Sequence, residues 1–191
     1  KRDGSRYSAD DVPIFKEHPL VETDELLTAD WPKRASIRGR AILAVSCRLG
    51  ALDFSTGERL DVNNIENRHY HHIYPDALLK EADINSFLAL NCTLISDKTN
   101  ISIGRKDPID YLSDRYQWTT EEIVKERLQS HLIPIPELAN GGYEGLSEQE
   151  KTEKLINDFD LFVRRRAELV MKALKLLAGG HQLSMSEILG D

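Results

Sequence analysis

Residues 66–112 read ENRHYHHIYPDALLKEADINSFLALNCTLISDKTNISIGRKDPIDYL, and the fold turns on how this stretch is laid down. The adjacent His71 and His72 run into Ile73, Tyr74 and Pro75, and Asn91 opens an apolar run that ends on Asp97, Lys98, Thr99 and Asn100. Residues Arg68 to Tyr74 are rich in aromatic and β-branched side chains and stop at a proline, which predicts a strand. Asn91 to Ile95 is short, apolar and β-prone and predicts a second one. Asp97 to Gly104 then reads as a helix capped by Ser96 or Asp97, with Asn100 in or just after its first turn. Side chains alternate across a strand, so His71 and His72 point to opposite faces. If the strand bends at its end, one can face a metal and the other a substrate. Two strands and a helix can hold a cation between them.

Phosphodiester cleavage needs a nucleophilic water, a group that takes its proton, and a cation that neutralises charge at phosphorus and the leaving oxygen. Imidazole, with an ordinary pKa near ~6.5, suits the proton-accepting role. The segment resembles the ββα-metal, or HNH, nuclease superfamily, and most closely the C-terminal half of GmrSD-type restriction proteins, which attack modified phage DNA. The resemblance implies that His72 is the general base. It implies that His71 and Asn100 ligate one divalent cation, Mg²⁺ or Mn²⁺, and that Asn91 fixes the loop carrying the base. It extends over roughly residues 35–115, through the upstream LDFSTGERLD and the later TNxxIG with Pro108 and Tyr111-Leu112, and more weakly to the SHLI of Ser130 to Ile133. Ile101 stands where an arginine often follows the helix asparagine, and Lys98, Arg105 and Lys106 are the candidates to meet phosphate instead. The nucleotide-hydrolysing domain usual upstream is missing, and the chain opens on Lys1, so a fragment of a longer protein is expected, with that sensor domain as a partner.

The 191 residues, 40% hydrophobic and 30% charged, are enough to bury a core. No apolar run reaches the ~20 residues of a membrane span. Cys47 and Cys92 lie far apart outside any CxxC pattern, so neither a disulfide framework nor a zinc knot is expected, and a reducing cytoplasm is the expected setting. A net charge of −7 opposes DNA binding in sum. The distribution matters more. Lys33, Arg34, Arg38, Arg40 and Arg48 fall in one stretch without an acid, so Arg38 and Arg40 join the candidate DNA contacts. A solvated helix face explains these arginines equally well.

Three segments follow: a tail or linker over residues 1–33, a nuclease domain over 34–118, and a C-terminal helical subdomain over 119–191. The expected class is α+β, mostly helical, around a small ββα core. Within it, residues 35–49 predict a helix, 52–61 a small hairpin about Ser55-Thr56-Gly57, and 76–81 and 85–90 short helices. Phe87, Leu88 and Leu90 read as core, and Asp76, Glu81 and Asp83 as solvated loop acids. Asp107-Pro108 opens a further helix, as do the capping-box patterns at Thr119, Ser147 and Ser184. Arg164, Arg165 and Arg166 suit phosphates, or surface links to Asp160 and Glu168. His18, His69, His131 and His181 read as surface or structural residues. The function expected is metal-dependent DNA cleavage; the alternative is a binding module on the same scaffold.

Overall fold

The computed structural model describes residue 11 and residues 21–190; the expectations for most of the tail, with His18, lie outside them. The fold is mostly helical with one two-stranded antiparallel sheet, an α+β arrangement. Strand β1 (Arg68–His72) pairs with β2 (Cys92–Ser96), His71 opposite Thr93 and His72 opposite Cys92. The chain before β2 is a 3₁₀ turn, Ala89–Asn91, so Asn91 precedes the ladder instead of opening it. Helices α1 (Thr23–Leu27) and α2 (Ile37–Ser46) precede the sheet, and α3 (Asp76–Glu81) lies between the strands. After β2 come α4 (Asp97–Ile103), α5 (Pro108–Trp118), α6 (Glu121–Gln129), α7 (Ile135–Leu138), α8 (Glu148–Ala178) and α9 (Met185–Leu189).

Local chemistry sets most helix starts. The Ser96 hydroxyl accepts from the Thr99 amide at 3.3 Å, which ends β2 and begins α4 in one residue. Asp107 accepts from the Ile109 amide at 2.9 Å with Pro108 at the first helical position. The reciprocal Ser147–Glu150 box opens α8. The start of α6 differs from expectation: Thr120, not Thr119, is its cap, accepting from the Ile123 amide.

Two other segments also depart from expectation, for physical reasons. Residues 52–61 form a closed loop and no strand pair. The Asp53 carboxylate gathers the Ser55 amide (3.1 Å), the Thr56 amide (3.0 Å) and the Thr56 hydroxyl (3.2 Å), and that local set of bonds competes with a ladder. Residues 85–88 are not helical and only the 3₁₀ turn Ala89–Asn91 follows, because residues 29–31 supply the backbone partners of 87 and 89. The Trp31 amide donates to the Phe87 carbonyl and the Ala89 amide to the Ala29 carbonyl, each at 2.8 Å, around an isolated bridge between Asp30 and Leu88. Gly39 permits this approach, since a Cβ there would run into the Asp30 carbonyl oxygen.

One buried cluster joins Leu26 and Ala29, Ile42, Phe54, Ile73, Tyr74, Leu79, Leu90 and Ile95 to Leu128, Ile133, Phe159, Phe162 and Val170. Residues 26–31 are thus built into the core, and the long α8 packs against the same centre as the sheet. Phe162 and Leu155 are fully buried, and each such side chain contributes about 1.5–3 kcal/mol. Arg166, in the middle of that apolar stripe, is fully buried too. It donates to the carbonyls of Leu90 (2.6 Å), Cys92 (3.0 Å) and His131 (3.0 Å), clamping α8 to the start of β2. Its neighbours keep to the surface, Arg164 paired with Asp160 at 2.7 Å and Arg165 with Glu168 at 2.6 Å.

Candidate active site

The site is assembled where β1 ends, between α3 and α4. Adjacent strand positions send the two histidines to opposite faces of the sheet, and the end of the strand brings both onto one cavity. His71 turns towards α4, where its Nδ1 lies 2.8 Å from Asn100 Oδ1. His72 turns the other way, its ring stacked on Trp31 with centroids 4.1 Å apart and planes 25° apart, and its flank against the edge of Phe87 at 5.0 Å. Its Nε2 is enclosed and meets no hydrogen-bonding partner, which leaves Nδ1 as the atom through which His72 can exchange a proton.

Asn91 does not reach the cavity. Its Oδ1 accepts from the Tyr74 amide at 2.8 Å, and its Nδ2 donates to the carbonyls of Tyr74 and Ser86, each at 3.0 Å. The side chain is fully buried, so the carboxamide ties the turn after His72 to the turn before β2. Burying one amide with all of these bonds made avoids the ~1–3 kcal/mol that each unmet group would cost.

The cavity holds about 330 Å³ and is lined by Tyr70, His71, His72, Asp76, Lys80, Asn100 and Arg105, among others. Of the cations expected at phosphate, Arg105 is on it. Lys98 is exposed on α4 away from the lining, and Lys106 is paired with Asp114. Arg38 is bonded to Glu25 at 2.7 Å, and Arg40 is exposed on α2. Lys80 was not anticipated from sequence. It sits one turn after Asp76 on α3 and pairs with it at 2.6 Å, a spacing that gives a surface helix pair no distinction until the helix is placed beside the histidines.

Both histidines are held neutral. Burial pushes His71 down to about 4, against the hydrogen bond it donates to Asn100 Oδ1, with the charge of His72 lowering it further. Burial lowers His72 also, with Asp76 pulling it up and Lys80 pushing it down. A neutral imidazole is the form that ligates a metal or accepts a proton.

Beneath the site lies a second polar cluster that sequence reading missed. Asp53 accepts from Arg68 of β1 (3.1 Å), the Ser96 amide (2.7 Å) and the Thr99 hydroxyl (2.5 Å), besides its own loop. Burial raises its pKa, but the bonds from Thr99, Ser96 and Thr56 outweigh that and hold the carboxyl well below the usual range. One carboxylate therefore sets β1, the end of β2 and the first turn of α4 relative to one another, and with them His71 and Asn100. His131, fully buried, donates from Nε2 to the Leu52 carbonyl at 2.9 Å, so its Nδ1 accepts from the Thr93 hydroxyl at 2.7 Å. It is structural.

No protein-family model, curated protein or solved structure matches the chain.

The His71 imidazole and the Asn100 carboxamide oxygen are of the types that can ligate a divalent cation, and in this structure they are joined by a 2.8 Å hydrogen bond in which Nδ1 donates to Oδ1. Among the described residues no three His, Cys, Asp or Glu side chains cluster as a ligand set.

Proposed function

We propose that the chain is a divalent-metal-dependent DNA endonuclease of the HNH kind, with its ββα core formed by β1, β2 and α4. The observation that carries this reading is the arrangement at one strand end: His71 and Asn100 in contact, the oppositely directed His72 beside them, and Arg105 and Lys80 on the same cavity. His71 and Asn100 would hold Mg²⁺ or Mn²⁺, which when bound neutralises charge on the phosphate and the leaving oxygen. Neutral His72, kept so by burial, takes the proton of the attacking water at Nδ1. Asn91 keeps the turn that carries His72 from moving, so the base is positioned before substrate arrives. Arg105 and Lys80 meet phosphate oxygens. The resemblance to the C-terminal half of GmrSD-type restriction proteins supports a place in defence against modified phage DNA, with a nucleotide-hydrolysing sensor as partner in the cytoplasm.

The test is plasmid cleavage by purified protein with Mn²⁺ and with EDTA. Metal-dependent nicking that disappears in His72→Ala supports the reading. Equal nicking by wild type and His72→Ala, or none by wild type under any divalent cation, overturns it. A second reading, a binding module on this scaffold without turnover, draws on the net charge of −7 and on the ion pairs that occupy Arg38 and Lys106. It predicts salt-dependent DNA binding and no cleavage.

A further inference from the structure

His72 is a partition. On one side its ring lines the cavity of the His71–Asn100 pair; on the other it stacks on Trp31, and Trp31 lines a second cleft of about 380 Å³ with Asp30, Lys33, Ala35, Ser36 and Phe87. The walls of that cleft are two aromatic rings set edge to face, 5.6 Å between centroids. Trp31 is nearly buried, but Phe87 is 41% exposed and offers its ring to solvent, with the Lys33 ammonium poised 5.7 Å from its centroid. Phe87 reads in sequence as a core residue. In the structure it is held out at the surface by the pairing of residues 87–89 with 29–31.

We propose that this cleft binds an unpaired nucleobase of the nucleic-acid strand whose phosphate lies at the His71–Asn100 pair, with the base stacked on Phe87 and Lys33 moved from the ring to the adjoining phosphate. The proposal rests on the nuclease reading for the position of the phosphate; the cleft itself rests on the rings and the cation. Two features select this ligand class. A planar π-face accepts any base without reading its edge, and a cation beside it suits the backbone that a base brings with it. A wholly apolar ligand would make no use of the Lys33 ammonium, and a simple anion would have no use for the two rings. A base can reach a cleft behind the general base only if it has left the duplex stack, so the substrate is a strand that is single, frayed or unstacked at the cut.

The experiment is binding of a fluorescently labelled single-stranded DNA oligonucleotide, measured by anisotropy in EDTA so that nothing is cut, beside an otherwise identical oligonucleotide carrying abasic sites. Wild type should bind the intact strand about 5- to 100-fold more tightly than the abasic one. Phe87→Ala should bind both with the weak, equal affinity, and Phe87→Tyr should restore the preference, which a loss of folding would not do. Tryptophan emission in a Trp118→Phe background, where the remaining described tryptophan is Trp31, should change on adding the intact strand and not the abasic one; Trp118 is 82% exposed and remote from the cleft lining. Equal affinity of wild type for the two strands, or an unchanged preference in Phe87→Ala, overturns the proposal. The outcome is separable from the fate of the nuclease reading. Base-dependent binding without metal-dependent cleavage sinks the nuclease and leaves the cleft standing, whereas cleavage by wild type together with indifference to base removal sinks the cleft alone.

Discussion

Two polar clusters sit on the same pair of strands, and they have opposite characters. In the buried one, Asp53, Arg68, Thr93, Thr99 and His131 bond one another and the backbone, so their polar capacity is consumed within the molecule. In the cluster at the strand end, the His71–Asn100 contact and the His72 ring face a cavity that also carries cationic side chains. The first spends its bonds on geometry. The second keeps bonding capacity in reserve, at a cost in stability, which is what a site for chemistry requires.

Substitutions break this contrast in different currencies. The largest expected effect is on rate: His72→Ala should lower metal-dependent plasmid nicking by about 10²–10⁴-fold while costing the fold no more than about 1 kcal/mol of lost ring stacking. A mutant that cuts normally, or that unfolds, would move His72 out of the reserve cluster. The converse holds for Asp53→Ala. It leaves the buried Arg68 with Glu58 alone and takes the acceptor from the Ser96 amide and the Thr99 hydroxyl, and should cost about 3–5 kcal/mol in urea unfolding; retained stability would show the hub to be ornamental. Asn91 lies in neither cluster but holds the turn after His72, so Asn91→Ala should show both effects, with ~1–3 kcal/mol lost and cleavage impaired.

Acid sharpens the comparison further. His71 and His131 are each depressed to about 4 in the fold, against an ordinary value near 6.5 in the unfolded chain. Between those limits the unfolded state binds protons that the native state does not, so stability falls as pH drops from 6.5 towards 4 and is intact above that window. The slope is about 1.4 kcal/mol per pH unit for each histidine, read by urea midpoints at several pH values. His131→Gln should flatten it by about half. The smallest effect is expected at the rim. Arg105→Ala should reduce the slope of log affinity against log salt by about 0.9 if it touches one phosphate, and Arg38→Ala, already engaged with Glu25, should leave that slope unchanged.

The parts of the fold that were legible in sequence are those set by neighbours along the chain. The strand through His71 and His72, the Ser96 cap, the Asp107-Pro108 start and the Ser147–Glu150 box each depend on residues within a turn or two, and each is found within a few residues of its expected place. The contact of His71 with Asn100 was expected only through the family resemblance, and the structure makes it because β2 runs straight into α4 beside β1. Trp31 and Asp53 were not. Trp31 reaches His72 only after residues 29–31 have paired with 87–89, and Asp53 bonds Ser96 and Thr99 across more than forty residues. No local period announces such contacts. An aspartate followed by serine, threonine and glycine reads as a turn in any chain, and here the turn is correct while its free oxygen serves the sheet.

The pairing of residues 29–31 with 87–89 has a practical consequence for where this protein can be divided. The composition of the first thirty-three residues, with three prolines and scattered acids, invites trimming at Lys33. A chain begun there would keep His71, His72, Asn91 and Asn100, yet it would lose Leu26 from the interior, uncover one whole face of the His72 imidazole, and leave residues 87–89 as an unpaired edge open to another molecule. Such a shortened chain could pass for a naturally inert homologue or an aggregating one when the fault lay in the cut.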